Sequence, residues 1–289
     1  MKKKLEIFQI DAFTDSPFKG NPAGVCFADG LSTSEKQLIA REINLSETAF
    51  ISKSKIADYK LQWFTPTSEV KLCGHATIAT LHFLKEKKLL SEGQQIRFET
   101  LSGVLKCYSN RNRYFMEIPI PKISTYKNST KELFNVLGLQ EKKVVSSSPI
   151  MIVNREFCYI HVKTLNDLKN LQPNYNELRE LGKQKREFRI IVVFTLETFY
   201  KKNHAHSRCF VPYYGINEDP VTGSANGPLL CVLSNLGLLK EHKDKIHVKF
   251  EQGDIIGRNG RVAVTFNSAV NELYISGNAV TIFKANLAF

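Results

Sequence analysis

Two segments about half a chain apart limit what this chain can fold into. "CGHATIATLHFL" (residues 73–84) and "TGSANGPLLCVL" (residues 222–233) each read as a helix with small or apolar residues on nearly every face. Such a helix has no wet side and must be enclosed all round. Neither segment approaches the roughly 20 apolar residues needed to span a bilayer, so the enclosing material has to be protein. Each helix follows an acid and a short turn ("EVKL", "EDPV"), and each precedes a similar pair of strands. Those pairs are "IRFETLSGVL" with "RYFMEI", and "IHVKFEQGDIIG" with "RVAVTF". A fixed-period repeat would imply a solenoid, whereas one duplication implies two related lobes. The predicted fold is therefore α+β, with two pseudo-symmetric lobes. Each is a curved antiparallel or mixed β-sheet, barrel-like, wrapped around a central apolar helix.

The flanking pattern fills in those lobes. "KLEIFQIDAF" alternates apolar and polar residues as a half-buried strand does. "FTDSPFKGNPAGVCFA" is a turn-rich loop feeding a second strand around Val25 to Phe27. "STSEKQLIAREINL" is a helix with N-cap candidates at Ser32 to Ser34 and with Leu38, Ile39 and Ile43 on one face. Further on, strands are expected at 144–148, 150–154 and 157–162, with "HAHSRC" as a loop entering a strand at "RCFVP". The domain boundaries that follow are 1–118 for the N-terminal lobe, completed by the last strand (278–289), and 119–277 for the second.

Bulk properties narrow the function classes. The formal charge of +12 comes from lysines dispersed along the chain, with no aromatic-basic motif of a nucleic-acid module. It reads as a solvated surface whose field attracts small anions. The start "MKKKLEIFQIDAF" is too short and too interrupted for a signal-peptide core, so a cytoplasmic location is expected, without membrane association. Six cysteines without CxxC pairs then read as reduced thiols, most of them buried. No P-loop or G-x-G-x-x-G fingerprint supports a nucleotide cofactor, and "HAHSRC" lacks a zinc ligand spacing. The expectation is no cofactor and no metal.

The chemistry concentrates at the two helix heads. A helix N-terminus presents unpaired N–H groups and a partial positive charge, so Gly74-His75-Ala76 and Gly223-Ser224-Ala225 are candidate carboxylate-binding sites in a cleft shared by the lobes. Cys73 and Thr222 precede the two glycines. Glu47 in "NLSETAF" stands immediately before an apolar strand, where a poorly hydrated carboxylate serves proton transfer and a hydrated one merely caps a turn. Asp219 in "NEDPVTG" is either a turn residue or a polar group near the second head.

At these residues the sequence resembles a known family. "DAFTDSPFKGNPAGVC", "NLSETAFI", "WFTPTSEVKLCGHATIATLH", "TLSGVL", "RCFVPYYGINEDPVTGSANGPL" and "QGDIIGR" occur in the order found in the PhzF-like phenazine-biosynthesis isomerases, which share their fold with diaminopimelate epimerase. The resemblance implies a cofactor-independent isomerase that moves a proton between carbons of a small unsaturated carboxylic acid. It implies Glu47 as the proton carrier, with His75 and Asp219 orienting substrate or assisting transfer. Gly74, Ala76, Gly223, Ser224, Ala225 and Cys73 would line the substrate site, and a homodimer is implied. Two-cysteine racemases use a thiol on each face. Here Cys73 matches the first, but Thr222 holds the partner position, and a threonine hydroxyl is too weak an acid for that work. Two alternatives stay open: a racemase or epimerase of a small acid using Cys73 with another acid, and a non-catalytic homologue that binds a ligand or partner.

Overall fold

A computed structural model describes residues 3–239 and 244–289. In chain order the first elements are β1 (Lys4–Ala12), β2 (Asn21–Phe27), α1 (Thr33–Ile43), β3 (Glu47–Ser52), β4 (Tyr59–Phe64), β5 (Glu69–Val70), α2 (Gly74–Glu86), β6 (Gln95–Thr100), β7 (Gly103–Asn110) and β8 (Arg113–Ile118). There follow β9 (Ile123–Thr125), α3 (Lys131–Leu137), β10 (Met151–Val153), β11 (Phe157–His161), α4 (Leu165–Lys169), α5 (Tyr175–Gln184), β12 (Ile190–Thr195), β13 (Ala205–Val211) and β14 (Ile216–Asp219). The chain closes with α6 (Gly223–Asn235), β15 (Lys245–Gln252), β16 (Gly260–Asn267), β17 (Glu272–Gly277) and β18 (Ala279–Ala288). One compact unit runs to Ile118 and resumes at Tyr274; the other spans Pro119–Leu273. The second crossing falls inside β17, which pairs with β8 of the first unit.

In the first unit a mixed sheet runs in the order β18, β1, β2, β3, β4, β6, β7, β8, with β2–β3 and β4–β6 parallel and the other pairs of known register antiparallel. Helix α2 packs against β1, β2, β3, β7, β8 and β18, so the sheet curls round it. Every residue of α2 from Gly74 to Leu81 is buried. Two of its polar side chains are satisfied by the helix itself, the Thr77 hydroxyl donating to Cys73 O at 2.6 Å and that of Thr80 to Ala76 O at 2.7 Å. Strand β1 serves two layers through its period of two. Phe8 meets Phe83 of α2 edge-on at 4.9 Å, while Leu5 and Ile7 join the cluster that seats α1 on the outside.

Helix α1 starts where its capping signal stands. The Ser32 hydroxyl accepts from Glu35 N, and Glu35 accepts from Ser32 N, satisfying two otherwise orphaned donors. Its buried stripe is Lys36, Ile39 and Ala40. Leu38, expected on that stripe, is 54% exposed, because one residue of helix turns it about 100° away from Ile39.

The second unit carries the sheet β9, β10, β11, β12, β13, β15, β16, with β11–β12 and β13–β15 parallel. Helices α3, α4 and α5 cover one face through a core of Leu133, Leu137, Leu168, Leu178, Leu181 and Phe210, among others. Helix α6, buried along most of its length, packs against β16. It continues through Pro228, whose missing N–H leaves the carbonyl of Ser224 without its helical donor.

Two sequence expectations are corrected here. Residues 144–148 are not a strand: Glu141–Lys143 form a 3-10 turn, and Val144 makes a single bridge to Val162. Ser146 and Ser147 face solvent, while the Ser148 hydroxyl turns inward to His161 Nδ1 at 2.8 Å. "HAHSRC" is no entry loop, since Ala205 opens β13, all seven residues of which are buried. That strand is paired on both sides, by β12 and by β15, and its polar residues find buried partners. Five of the six cysteines are buried and all are free thiols, as their spacing led us to expect. Burial raises the Cys26 thiol to about 12, with Lys36 opposing, and pushes those of Cys107, Cys158 and Cys209 higher still, so these act as packing groups. Among the described residues, no helix is long and apolar enough to cross a membrane.

Candidate active site

In the first unit the topology delivers three polar residues to one edge. Strands β2 and β3 are parallel and linked through α1, so both begin at the same end of the sheet, with Ala23 opposite Glu47. Asn21 opens β2, Ser46 precedes β3, and Glu47 is its first residue. The turn into β2 requires Gly20, whose φ is +62° and whose missing Cβ would lie 2.1 Å from Ala12 O.

The head of α2 meets this edge. Cys73 is its N-cap, extended at φ −141° and ψ 112°, and its side chain makes no capping hydrogen bond. The first-turn N–H groups of Gly74, His75 and Ala76 therefore have neither a helical partner nor a side-chain cap. The His75 ring, buried, has Nε2 3.2 Å from Glu47 Oε2 and 3.3 Å from Ser46 Oγ. Its Nδ1 lies 3.2 Å from Asn21 Nδ2 and 3.5 Å from Cys73 Sγ. The Ser46 hydroxyl donates to Asn21 Oδ1 at 3.5 Å. The Glu47 side chain is 15% exposed: open enough to meet a substrate, shielded enough to feel a low dielectric. Glu47, Cys73 and His75 thus come together, as do the first-turn residues Gly74 and Ala76.

One potential ligand atom from each of Glu47, Cys73 and His75 lies within 4.8 Å of the others. Glu47 and Cys73 approach opposite nitrogens of the ring, so no single imidazole nitrogen faces both. The cluster gathers three groups of a chemical type able to hold or pass a proton.

In the second unit, Asp219 ends β14 and Thr222 is the N-cap of α6. The Thr222 hydroxyl donates to Asp219 Oδ2 and is thereby committed to an acid. Gln252, from the "QGDIIGR" segment, clamps this head with one buried amide. Its Nε2 donates to Asp219 O at 2.7 Å and to Thr222 Oγ1 at 3.0 Å, and its Oε1 accepts from Thr222 N at 3.1 Å and Asn226 Nδ2 at 2.6 Å. Tyr159 adds a bond from its hydroxyl to Ala225 O at 2.7 Å. Gly223 and Ala225 are buried, while Ser224 is partly exposed.

His206, Glu251 and Asp254 form a second cluster in this unit, at 3.1 Å and 3.9 Å from His206 Nδ1. Burial pushes the Glu251 carboxyl up, but His206, Asn203 and the amides of Phe199 and Tyr200 all donate to it and hold it at about 2. Asp254 is engaged by a two-pronged pair with Arg261. Glu251 is used in fastening the loop before β13 and Asp254 in holding Arg261, and little of either remains for a metal ion.

Asn21, Ser46 and Gln252 were not recognised as site residues in the sequence. Asn21 reads as a turn residue before proline, and Ser46 as part of a strand entry. Their only signal was position, within the same segments that carry the family resemblance.

Comparison with known proteins agrees with this architecture. The fold is shared with a hydroxyproline epimerase from Agrobacterium vitis, solved with trans-4-hydroxy-L-proline, at a TM-score of 0.63 over 100% of this chain and 94% of that one, although identity is only 11%. The fold class is that of the epimerase-like α+β proteins. Within it, a family model for phenazine biosynthesis-like proteins matches residues 10–285, and the chain belongs to that PhzF family. A PhzF-family phenazine biosynthesis protein of Bacillus anthracis superposes with a TM-score of 0.91 at 32% identity, covering 99% of both chains. An uncharacterized isomerase of Clostridium acetobutylicum is 39% identical over 99% of each chain. Membership places the chain among the isomerases.

Proposed function

We propose that this protein moves a proton between two carbons of a small unsaturated carboxylic acid, with Glu47 as base and then acid and without a cofactor. The observation that carries the reading is the Glu47 carboxylate, set 3.2 Å from His75 Nε2 at the uncapped head of α2. Glu47 takes a proton from carbon, leaving an anion delocalised into the substrate's unsaturated system. The resulting carboxylic acid returns that proton to a second carbon, so the bonds made and broken are C–H and O–H and no electrons are transferred overall. N–H groups at a helix head stabilise the anion most where charge develops.

The test is hydrogen exchange in D2O. A panel of cyclic unsaturated carboxylic acids is incubated with the protein and followed by proton NMR for isomerisation and deuterium uptake at carbon. Glu47→Gln keeps the shape and removes the proton carrier, so turnover of an accepted acid should fall about 10²–10⁴-fold. Full turnover by Glu47→Gln would refute the assignment.

A second reading has support in the 3.5 Å contact between Cys73 Sγ and His75 Nδ1, which is how a thiol is activated for racemisation. It predicts inactivation by iodoacetamide that bound substrate prevents, and loss of activity in Cys73→Ala. Against it, the sequence resemblance puts a threonine, Thr222, at the position of the second cysteine, and its hydroxyl is bound to Asp219.

A further inference from the structure

We infer that Asn21 is a positioning residue that fixes the tautomer of His75, so that the ring presents Nε2–H to Glu47; this rests on the reading of Glu47 as proton carrier. A neutral imidazole offers one N–H and one lone pair, and which nitrogen carries the proton follows from what each one faces. Two donors converge on Nδ1: the Asn21 amide Nδ2 at 3.2 Å and the Cys73 thiol at 3.5 Å. Nδ1 is therefore the lone-pair nitrogen. The opposite nitrogen faces the carboxylate Oε2 of Glu47 at 3.2 Å and the Ser46 hydroxyl oxygen at 3.3 Å, both able to accept.

The orientation of the Asn21 amide closes the argument. The Ser46 hydroxyl donates to Asn21 Oδ1, which directs the NH2 end of the amide toward the ring. The bonds then run in a circuit: Asn21 N–H to His75 Nδ1, His75 Nε2–H to Ser46 Oγ, Ser46 O–H to Asn21 Oδ1. Each member donates once and accepts once within that circuit, and Glu47 Oε2 lies 3.2 Å from the same Nε2. Asn21 is completely buried, so water does not compete for its amide. With this tautomer the ring turns its N–H side toward the Glu47 carboxylate at 3.2 Å, and the positive end of that dipole favours the ionised form that accepts a proton from carbon. The other tautomer would set a lone pair against it.

The experiment reads the tautomer directly. The full chain, labelled with 15N-histidine, is studied at neutral pH by long-range proton–nitrogen correlation, with His75 assigned by its absence in His75→Gln. The expected pattern is a pyridine-type Nδ1 and a pyrrole-type Nε2. Asn21→Asp replaces the donor with an acceptor and should convert Nδ1 to the pyrrole type, with turnover of an accepted acid reduced about 10²-fold or more. Asn21→Ala, which only removes the donor, should move the Nδ1 shift part of the way and serves if the aspartate variant does not fold. A wild-type ring with Nδ1 protonated, alone or together with Nε2, overturns the inference, as does an unchanged Nδ1 in either folded variant. Because the spectrum does not depend on turnover, it stands or falls separately from the Glu47→Gln result.

Discussion

Gln252 is the most demanding single position in the second unit. Its side chain is 1% exposed and makes four hydrogen bonds that tie β15 to the head of α6. In Gln252→Ala the Thr222 N–H loses its partner, one hydrogen of the Asn226 amide is left unused, and Asp219 O loses a donor. Asn226 keeps its bond to Thr222 O and the Thr222 hydroxyl keeps Asp219, so two or three buried groups are orphaned rather than four. At about 1–3 kcal/mol for each such group, the loss is about 2–9 kcal/mol, a large part of the 5–15 kcal/mol typical of a folded protein. Gln252→Met, which fills the same volume without polar atoms, should recover the packing but not the bonds and lose nearly as much. Urea denaturation followed by far-UV circular dichroism measures both, read at the first transition because the chain forms two compact units. A loss below about 1 kcal/mol in Gln252→Ala would show that the four bonds do not hold the helix head.

Two further outcomes concern the segment beside it. Glu251 is fully buried and its carboxyl is held at about 2 against the ordinary 4.5, so its contribution, about 3 kcal/mol, is complete above pH 5 and fades as the pH falls from 5 toward 2; Glu251→Gln should remove that dependence, which acid titration of the melting temperature checks. Gly253 has φ +86°, and a Cβ there would lie 2.3 Å from Arg258 O and 2.7 Å from Pro220 O, both backbone atoms, so Gly253→Ala should cost about 2–5 kcal/mol in the same denaturation assay.

What the sequence determined alone is what short-range pattern carries. Two helices without a wet face had to be enclosed, and the unpaired N–H groups at their heads follow from helix geometry itself. The α1 cap is written in four residues, Ser32 to Glu35, and the structure uses it. Pattern failed where neighbours in space decide. The register of α1 left Leu38 in solvent, and pairing on both sides turned "HAHSRC" into a buried strand.

The tertiary structure alone decided who touches the catalytic candidates. Asn21 reaches His75 across 54 positions of sequence, Ser46 across 29, and Gln252 reaches Asp219 across 33. Local sequence around Asn21 says turn, and nothing within hydrogen-bonding reach along the chain marks it as a partner of an imidazole. The parallel pairing of β2 with β3 sets that contact by starting both strands at one edge, where the α2 head arrives. Residue type and spacing name the groups able to handle a proton; the direction in which each hydrogen bond runs exists only once the chain has closed around them.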